Sequence, residues 1–131
     1  MAIILDTNAL SAFADGDEGL RDAIHREKDL AMPVIVLGEY LFGIRSSRHR
    51  ARYQDWLNRH SLFWLVLSIG VGTAECYAEI WGELKSKGRP VPTNDVWIAA
   101  LAREHGYPIA SRDSHFDLVA GVRRISWTPR L

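Results

Sequence analysis

The sequence predicts an α/β fold, a parallel sheet of four or five strands covered by helices on both faces. Two patterns carry this expectation. Short runs of branched apolar residues, led by Ile3-Ile4-Leu5, read as strands buried on both sides, as strands of parallel sheets are. Longer stretches of helical character separate these runs, and strand–helix alternation is the pattern of a parallel, doubly covered sheet. The 131 residues suit one domain with a real interior. No repeat, low-complexity stretch or linker interrupts them.

The first strand ends in Asp6-Thr7-Asn8. A bare carboxylate has no place inside a strand buried on both faces. Asp6 stands at its C-terminal end, where an open α/β sheet forms its ligand crevice. Thr7 and Asn8 favour a turn or a helix start. Ala9 to Ala14 reads as a short helix closed by Asp15-Gly16-Asp17, and Leu20 to Lys28 as a second, polar helix. Ala31-Met32 form a short strand. Pro33 suits the first turn of a helix, where its missing N–H costs nothing. Val34 to Ile44 is apolar on almost every face, which predicts a largely buried helix carrying a single carboxylate, Glu39.

Ser47 can cap the next helix, Arg48 to His60, and Leu62 to Leu67 is the third strand. A long helix runs from Gly70 to Lys87, ended by the loop Gly88-Arg89-Pro90-Val91-Pro92. Thr93 or Asn94 caps a helix from Asp95 to Glu104, which stops at His105-Gly106. Pro108 to Ser111 is the fourth strand, residues 112 to 121 a loop with a short helical turn, and Arg123 to Ser126 the fifth strand.

Lys plus Arg and Asp plus Glu number 16 each, which excludes a broadly basic nucleic-acid coat while leaving room for local patches. The one cysteine, Cys76, rules out an internal disulfide and fits a reduced, cytoplasmic setting. It has no nucleophile or metal context and reads as a small core residue. The chain enters its first strand with no basic leader. Its longest apolar run, Leu62 to Leu67, falls far short of the ~20 residues that span a bilayer. Trp56, Trp64, Trp81, Trp97 and Trp127 are scattered, as packing residues of a core or subunit interface are.

Four acids stand out by position. Asp6 ends the first strand, Glu39 is alone in an apolar helix, Asp95 opens a helix of small apolar residues, and Asp113 follows the fourth strand. Each has a plain reading: a helix cap, a buried ion pair, a first-turn acid favoured by the helix dipole, a turn residue. Together they fit a site better. Asp6 and Asp113 both follow parallel strands and share the sheet's carboxyl edge. Asp95 starts a helix packed beside that edge. A buried carboxylate such as Glu39 is costly unless paired or bound to metal. Clustered carboxylates repel, and a divalent cation relieves them. Oxygen ligands select Mg²⁺ or Mn²⁺, and the five histidines are too dispersed to argue for zinc. Such an ion suits phosphodiester hydrolysis, lowering the pKa of its water and neutralising phosphate charge; two ions ~3.5–4 Å apart could also clamp the leaving oxygen.

These residues resemble those of PIN-domain ribonucleases, and the chain length is similar to that of VapC-type toxins of bacterial toxin–antitoxin pairs. The resemblance covers essentially the whole chain. It rests on IILDTNAL (Ile3 to Leu10), PVIVLGEYLFG (Pro33 to Gly43), PTNDVWIAALA (Pro92 to Ala102) and ASRDSHFD (Ala110 to Asp117). It implies a three-layer α/β/α sandwich and metal-dependent endonucleolytic cleavage of RNA to a 5′-phosphate and a 3′-hydroxyl. It carries acidic catalytic roles onto Asp6, Glu39, Asp95 and Asp113. Of these, Asp6, Asp95 and Asp113 would hold Mg²⁺, which Mn²⁺ can replace. Glu39 would bind it through water or orient the attacking hydroxide. Thr7, Asn8 and Ser111 match polar positions near that site. Some members carry another acid two positions after the equivalent of Asp113, and here that residue is His115; Asp117 reads as a structural residue. The resemblance also implies a small antitoxin docked across the site, anchored by aromatics such as Trp56 or Tyr53, and a homodimer.

A nuclease must hold a polyanion. Arg45, Arg48, Arg50 and Arg52, with His49, form the densest basic stretch. It fits phosphate contact or a solvated helix face equally. Lys85, Lys87 and Arg89 form a second such stretch. Arg112 could touch the scissile phosphate or pair with Asp113. Glu75, Glu79 and Glu83 share one helix face and read as a solvated or partner-facing stripe. Two competing functions are a PIN-like scaffold that binds RNA or protein without cutting, and a phosphatase or phosphoacceptor domain with Asp6 as nucleophile. The second lacks an Asp two residues after the first, where Asn8 stands.

Overall fold

A computed structural model describes residues 1–25 and 29–130. In chain order its elements are β1 (Ala2–Leu5), α1 (Thr7–Ala14), α2 (Glu18–Ile24), β2 (Asp29–Pro33), α3 (Val34–Ile44), α4 (Arg50–His60), β3 (Leu65–Leu67), α5 (Val71–Ser86), α6 (Thr93–His105), β4 (Ile109–Ala110) and β5 (Arg124–Ile125). Short 3₁₀ turns occupy Ser61–Phe63 and Ser114–Leu118. The strands form one five-stranded sheet in the order β3-β2-β1-β4-β5, and every neighbouring pair is parallel.

The topology follows from right-handed crossovers. From β1 the chain steps one way to β2 and β3, then returns past β1 to β4 and β5. With crossover handedness fixed, the two directions put their helices on opposite faces. Accordingly α1, α2, α3 and α4 pack among themselves, and α5 packs along α6. The result is a three-layer α/β/α sandwich. β1 lies at its centre with Ile3, Ile4 and Leu5 wholly buried. From the other side, α6 contributes Val96, Ile98 and Ala99 through Ala102 to the same core. Strand order reverses between β1 and β4, and the carboxyl ends of those two strands are where such a sheet opens its crevice.

Several expectations are corrected in detail. Helix α2 begins at Glu18, capped by the Asp17 carboxylate, which accepts from Gly19 N at 2.9 Å and Leu20 N at 3.3 Å. Its expected end at Lys28 lies outside the described residues. Pro33 closes β2 and serves as N-cap of α3. The cap expected of Ser47 shifts: its hydroxyl accepts from His49 N at 3.0 Å, and α4 starts at Arg50. The expected strand from Leu62 narrows to Leu65–Leu67, because residues 61–63 turn as 3₁₀. Neither Thr93 nor Asn94 caps α6; both belong to its first turn, after Pro92. Gly106 ends α6 in the left-handed conformation, φ 73°, as a C-terminal glycine does.

Helix α3 is also less buried than its composition predicts. Only Val36, Tyr40 and Ile44, spaced every four residues, are fully buried; Ile35, Leu37 and Leu41 pack against the core in part, while Phe42 is 77% exposed. Apolar character all round a helix predicts full burial. Here no element covers the outer face among the described residues.

Candidate active site

Asp6 follows β1 directly and is the N-cap of α1, as its cap reading expects. Its carboxylate is only 5% exposed. It accepts from Thr7 N at 2.8 Å, from Ser111 Oγ at 2.6 Å and from Asn8 Nδ2 at 3.2 Å. Burial pushes its pKa above the ordinary carboxylate value; the bonds from Ser111 and Thr7 oppose this, and the charges of Glu39 and Asp113 add to it.

Ser111 ties the two central strands together. It stands just past β4, where Asp6 N bonds Ala110 O at 3.1 Å. Its hydroxyl donates to Asp6 and accepts from Asp113 N at 2.9 Å and Asn8 Nδ2 at 3.3 Å. Asn8 completes the loop by accepting Arg112 N at 3.1 Å. Ser111 is wholly buried, and its hydroxyl holds Asp6 and the turn that carries Asp113. Asn8 and Thr7 are likewise engaged within the chain, Thr7 Oγ1 donating to Glu39 Oε1 at 2.8 Å.

Glu39 is held from two sides, by Thr7 and by Asn94 Nδ2, 3.4 Å from Oε2. Asn94 thus ties the first turn of α6 to α3, a link the sequence did not single out. Asp95, next along, is half-buried. Burial first, and then the charges of Asp6 and Asp113, push its carboxyl up to about 6, against the opposing hydrogen bond and charge of His115. Asp113 caps the turn Ser114–Leu118 by accepting His115 N at 2.9 Å. That turn folds the His115 ring back between two acids, Nδ1 lying 3.2 Å from Asp95 Oδ2 and 2.9 Å from Asp113 Oδ1.

The four acids therefore converge on the carboxyl edge between β1 and β4, each within reach of another's charge. Asp95, Asp113 and His115 offer ligand atoms that all lie within 4.8 Å of one another. His115, which stands where some PIN-domain members carry another acid, is brought beside Asp95 and Asp113 by the turn that Asp113 caps. Among the described residues no Lys or Arg pairs with Asp6, Glu39, Asp95 or Asp113. Crowded carboxylates, two of them held above their ordinary pKa and without a Lys or Arg partner, fit a divalent cation.

Other candidates fall outside this cluster. Asp117 is paired with Arg124 through two 2.9 Å contacts, and Arg124 also donates to Ser111 O at 3.1 Å. Glu83 on α5 pairs with Arg103 at 2.8 Å. Arg45, Arg48 and Arg112 are exposed; Arg112 and Asp113 form no ion pair. The proposed aromatic anchors are not free. Trp56 packs edge-on to Phe13 at 5.6 Å and against Trp64, and Tyr53 donates its hydroxyl to Asp15 Oδ1 at 3.1 Å.

Comparison with known proteins agrees with this geometry. The PIN domain family matches residues 3–122. The chain is 29% identical to the VapC ribonuclease Y4jK of Sinorhizobium fredii, over 97% of this chain and 99% of that one. It is 31% identical to ribonuclease VapC4 of Mycobacterium tuberculosis, over 71% of this chain and 73% of that one. Among solved structures, VapBC2 of Rickettsia felis bound to a promoter DNA fragment shares the fold, with TM-score 0.86, 20% identity, and coverage of 98% of this chain and 100% of that one.

Proposed function

The chain belongs to the PIN domain family, and from that premise we propose that it is a divalent-metal-dependent endoribonuclease acting as the toxin of a toxin–antitoxin pair. The carrying observation is the convergence of Asp6, Glu39, Asp95 and Asp113 at the switch point of the sheet with no Lys or Arg among them. Relatives named as VapC ribonucleases support the reaction class. Solved relatives described as VapBC complexes support a small antitoxin partner.

In this reading Asp6, Asp95 and Asp113 hold Mg²⁺ or Mn²⁺, with His115 as a further ligand. The ion would neutralise phosphate charge and lower the pKa of water. Ser111 and Asn8 keep the Asp6 carboxylate aimed at the site. Glu39, fixed by Thr7 and Asn94, orients the attacking water and takes its proton. Water is the nucleophile and the 3′-oxygen the leaving group, so the P–O3′ bond breaks and the products carry a 5′-phosphate and a 3′-hydroxyl. Arg45, Arg48 and Arg112 contact the RNA backbone. The reading also makes this one PIN-like domain working in the cytoplasm as a homodimer. No helix among the described residues is long and apolar enough to cross a membrane. A phosphoacceptor role for Asp6 is disfavoured by Asn8, which stands where such a site wants a second Asp.

The test is cleavage of total and synthetic hairpin RNA by purified protein in Mg²⁺, Mn²⁺ or EDTA, beside Asp95→Asn. Metal-dependent cuts that disappear in the variant are expected. Equal cutting by both proteins would overturn the site, and no cutting with no binding of Mn²⁺ by calorimetry would favour the scaffold.

A further inference from the structure

The proposed metal ligands differ in how they are held. Asp6 caps α1 at the end of β1, and Asp95 stands in the first turn of α6, so both ride on regular elements packed into the core. Asp113 and His115 lie instead on the connection from β4 to β5, whose regular structure is the short turn Ser114–Leu118. A ligand on a loop is only as well placed as the loop. On the near side of Asp113 the connection is tied to α1, through the Ser111 hydroxyl on Asp6 and through Arg112 N on Asn8 Oδ1. Beyond His115 the buried ring of Phe116 anchors it in the core. Arg124, on edge strand β5, bridges these two sides. Its Nη1 donates to Ser111 O at 3.1 Å, and its Nε and Nη2 donate to Asp117 Oδ1 and Oδ2 at 2.9 Å each. Ser111 stands two residues before Asp113, and Asp117 two residues after His115. One rigid guanidinium plane thus brackets both ligands.

We infer that Arg124 is a positioning residue of the nuclease: it clamps Ser111 to Asp117 so that Asp113 and His115 meet Asp95 at ligating separation, without itself contacting the metal; this rests on the metal-dependent ribonuclease reading above. Charge alone gives no reason for an arginine here. Its positive charge acts on Asp113, and a fixed cation beside a metal site repels the ion that the acids attract. What offsets that cost is geometry. A two-pronged contact with a carboxylate fixes orientation as well as distance, and the remaining guanidinium donor holds a backbone carbonyl that only a rigid fork reaches at the same time. Groups that orient metal ligands from behind typically change metal affinity about 10- to 100-fold when removed. Asp117 is the other half of the same clamp. Its carboxylate faces Arg124 and is more than half exposed, so replacing it leaves the core intact.

The test measures Mn²⁺ affinity by calorimetry on the intact protein, for wild type, Arg124→Lys, Asp117→Asn and the double variant Arg124→Gln/Asp117→Asn. Lysine keeps the charge and loses the fork, and the double variant keeps the wild-type net charge and loses the clamp. All three are expected to bind Mn²⁺ about tenfold more weakly. The double variant is expected to lose no more than Asp117→Asn alone, because the two residues act as one unit. In EDTA, amide exchange at Asp113 and His115 is expected to quicken in Arg124→Lys while α1 and α6 keep their wild-type protection. Saturating Mn²⁺ is expected to restore kcat on RNA with KM unchanged, since the ligands and not the RNA contacts are displaced. Affinities within about twofold of wild type in Arg124→Lys and the double variant would overturn the inference. So would exchange that quickens throughout the core, which would make Arg124 a bolt of the whole fold. A wild type that binds Mn²⁺ and cuts no RNA would count against the ribonuclease reading and leave the affinity comparison standing; a wild type that binds no Mn²⁺ would remove both.

Discussion

At the scale of single residues, Asp95 carries opposite signs for stability with and without metal. Its folded pKa, about 6, stands above the ordinary 3.8. The folded state therefore binds the proton more tightly, and stability falls as pH rises from near 4 through about 6, after which the full penalty persists. Asp95→Asn removes that penalty. Without metal the variant should melt higher than wild type at pH 7.5, by at most about 3 kcal/mol of stability, and the gap should close near pH 3. Saturating Mn²⁺ should reverse the order, since only the wild type gains ligand-binding stability. Thermal melts at two pH values with Mn²⁺ or EDTA check all of this, and a variant less stable than wild type in EDTA would refute the crowding. His115 makes a second prediction. Imidazole suits transition ions better than Mg²⁺, so His115→Asp should raise the ratio of kcat/KM in Mg²⁺ to that in Mn²⁺ about tenfold; an unchanged ratio would remove His115 from the ligand set. Asp6 was legible in the sequence because a carboxylate at the end of a doubly buried strand has few other reasons to be there. His115 could be singled out in the sequence, but its contact with Asp95 could not, because that contact depends on the 3₁₀ turn that Asp113 caps.

At the scale of elements, the sequence was most readable where glycine and proline punctuate it and least where a side chain from far away decides a boundary. Gly106 and Pro92 marked the two ends of α6. The start of α2 was missed because Asp17 caps it while also holding the C-terminal tail, which is distant in sequence. Asp17 Oδ1 accepts Arg130 N at 2.9 Å, and Glu18 N donates to Arg130 O at 2.8 Å. A Cβ on Gly19 would fall 1.9 Å from Thr128 O, so the tail passes over α2 at a point only glycine permits. Burial pushes the Asp17 carboxyl up, but the bonds from Arg130, Leu20 and Gly19 outweigh it and hold the pKa below the ordinary value. The sign is opposite to that of Asp95: its stabilisation is present above pH 4 and is lost as pH falls through the lowered pKa. Asp17→Ala should therefore lower Tm by several degrees at pH 7, with the difference shrinking toward pH 2, and should raise amide exchange in both α2 and residues 127–130. Faster exchange in α2 alone would mean that the tail is held by other contacts.

At the scale of the whole molecule, the alternation of strands and helices was enough to place the crevice, since a sheet that reverses direction between β1 and β4 has one switch point and the acids follow those two strands. Composition could not say which apolar residues the fold would leave outside. Residues 62 to 71 hold the largest such group: Phe63 is 86% exposed, Val71 79% and Leu62 75%, with Leu65, Val66 and Ile69 also exposed on and around edge strand β3. An exposed apolar run of this kind suits an interface, and its place on an unpaired sheet edge makes bare exposure an aggregation hazard. The proposed homodimer would cover it by self-complementary contact of the same patch on both copies. Light scattering across a concentration series should then give twice the chain mass, and Phe63→Asp should weaken the dimer by about 2 kcal/mol, roughly thirtyfold in Kd. Phe63 contributes no buried core contact, so the variant should keep its Tm at a concentration where both forms are monomeric. A wild type that stays monomeric throughout would assign the patch to another partner. A dimer indifferent to Phe63→Asp would move the interface to the uncovered face of α3, where Phe42 is the next aromatic left in water.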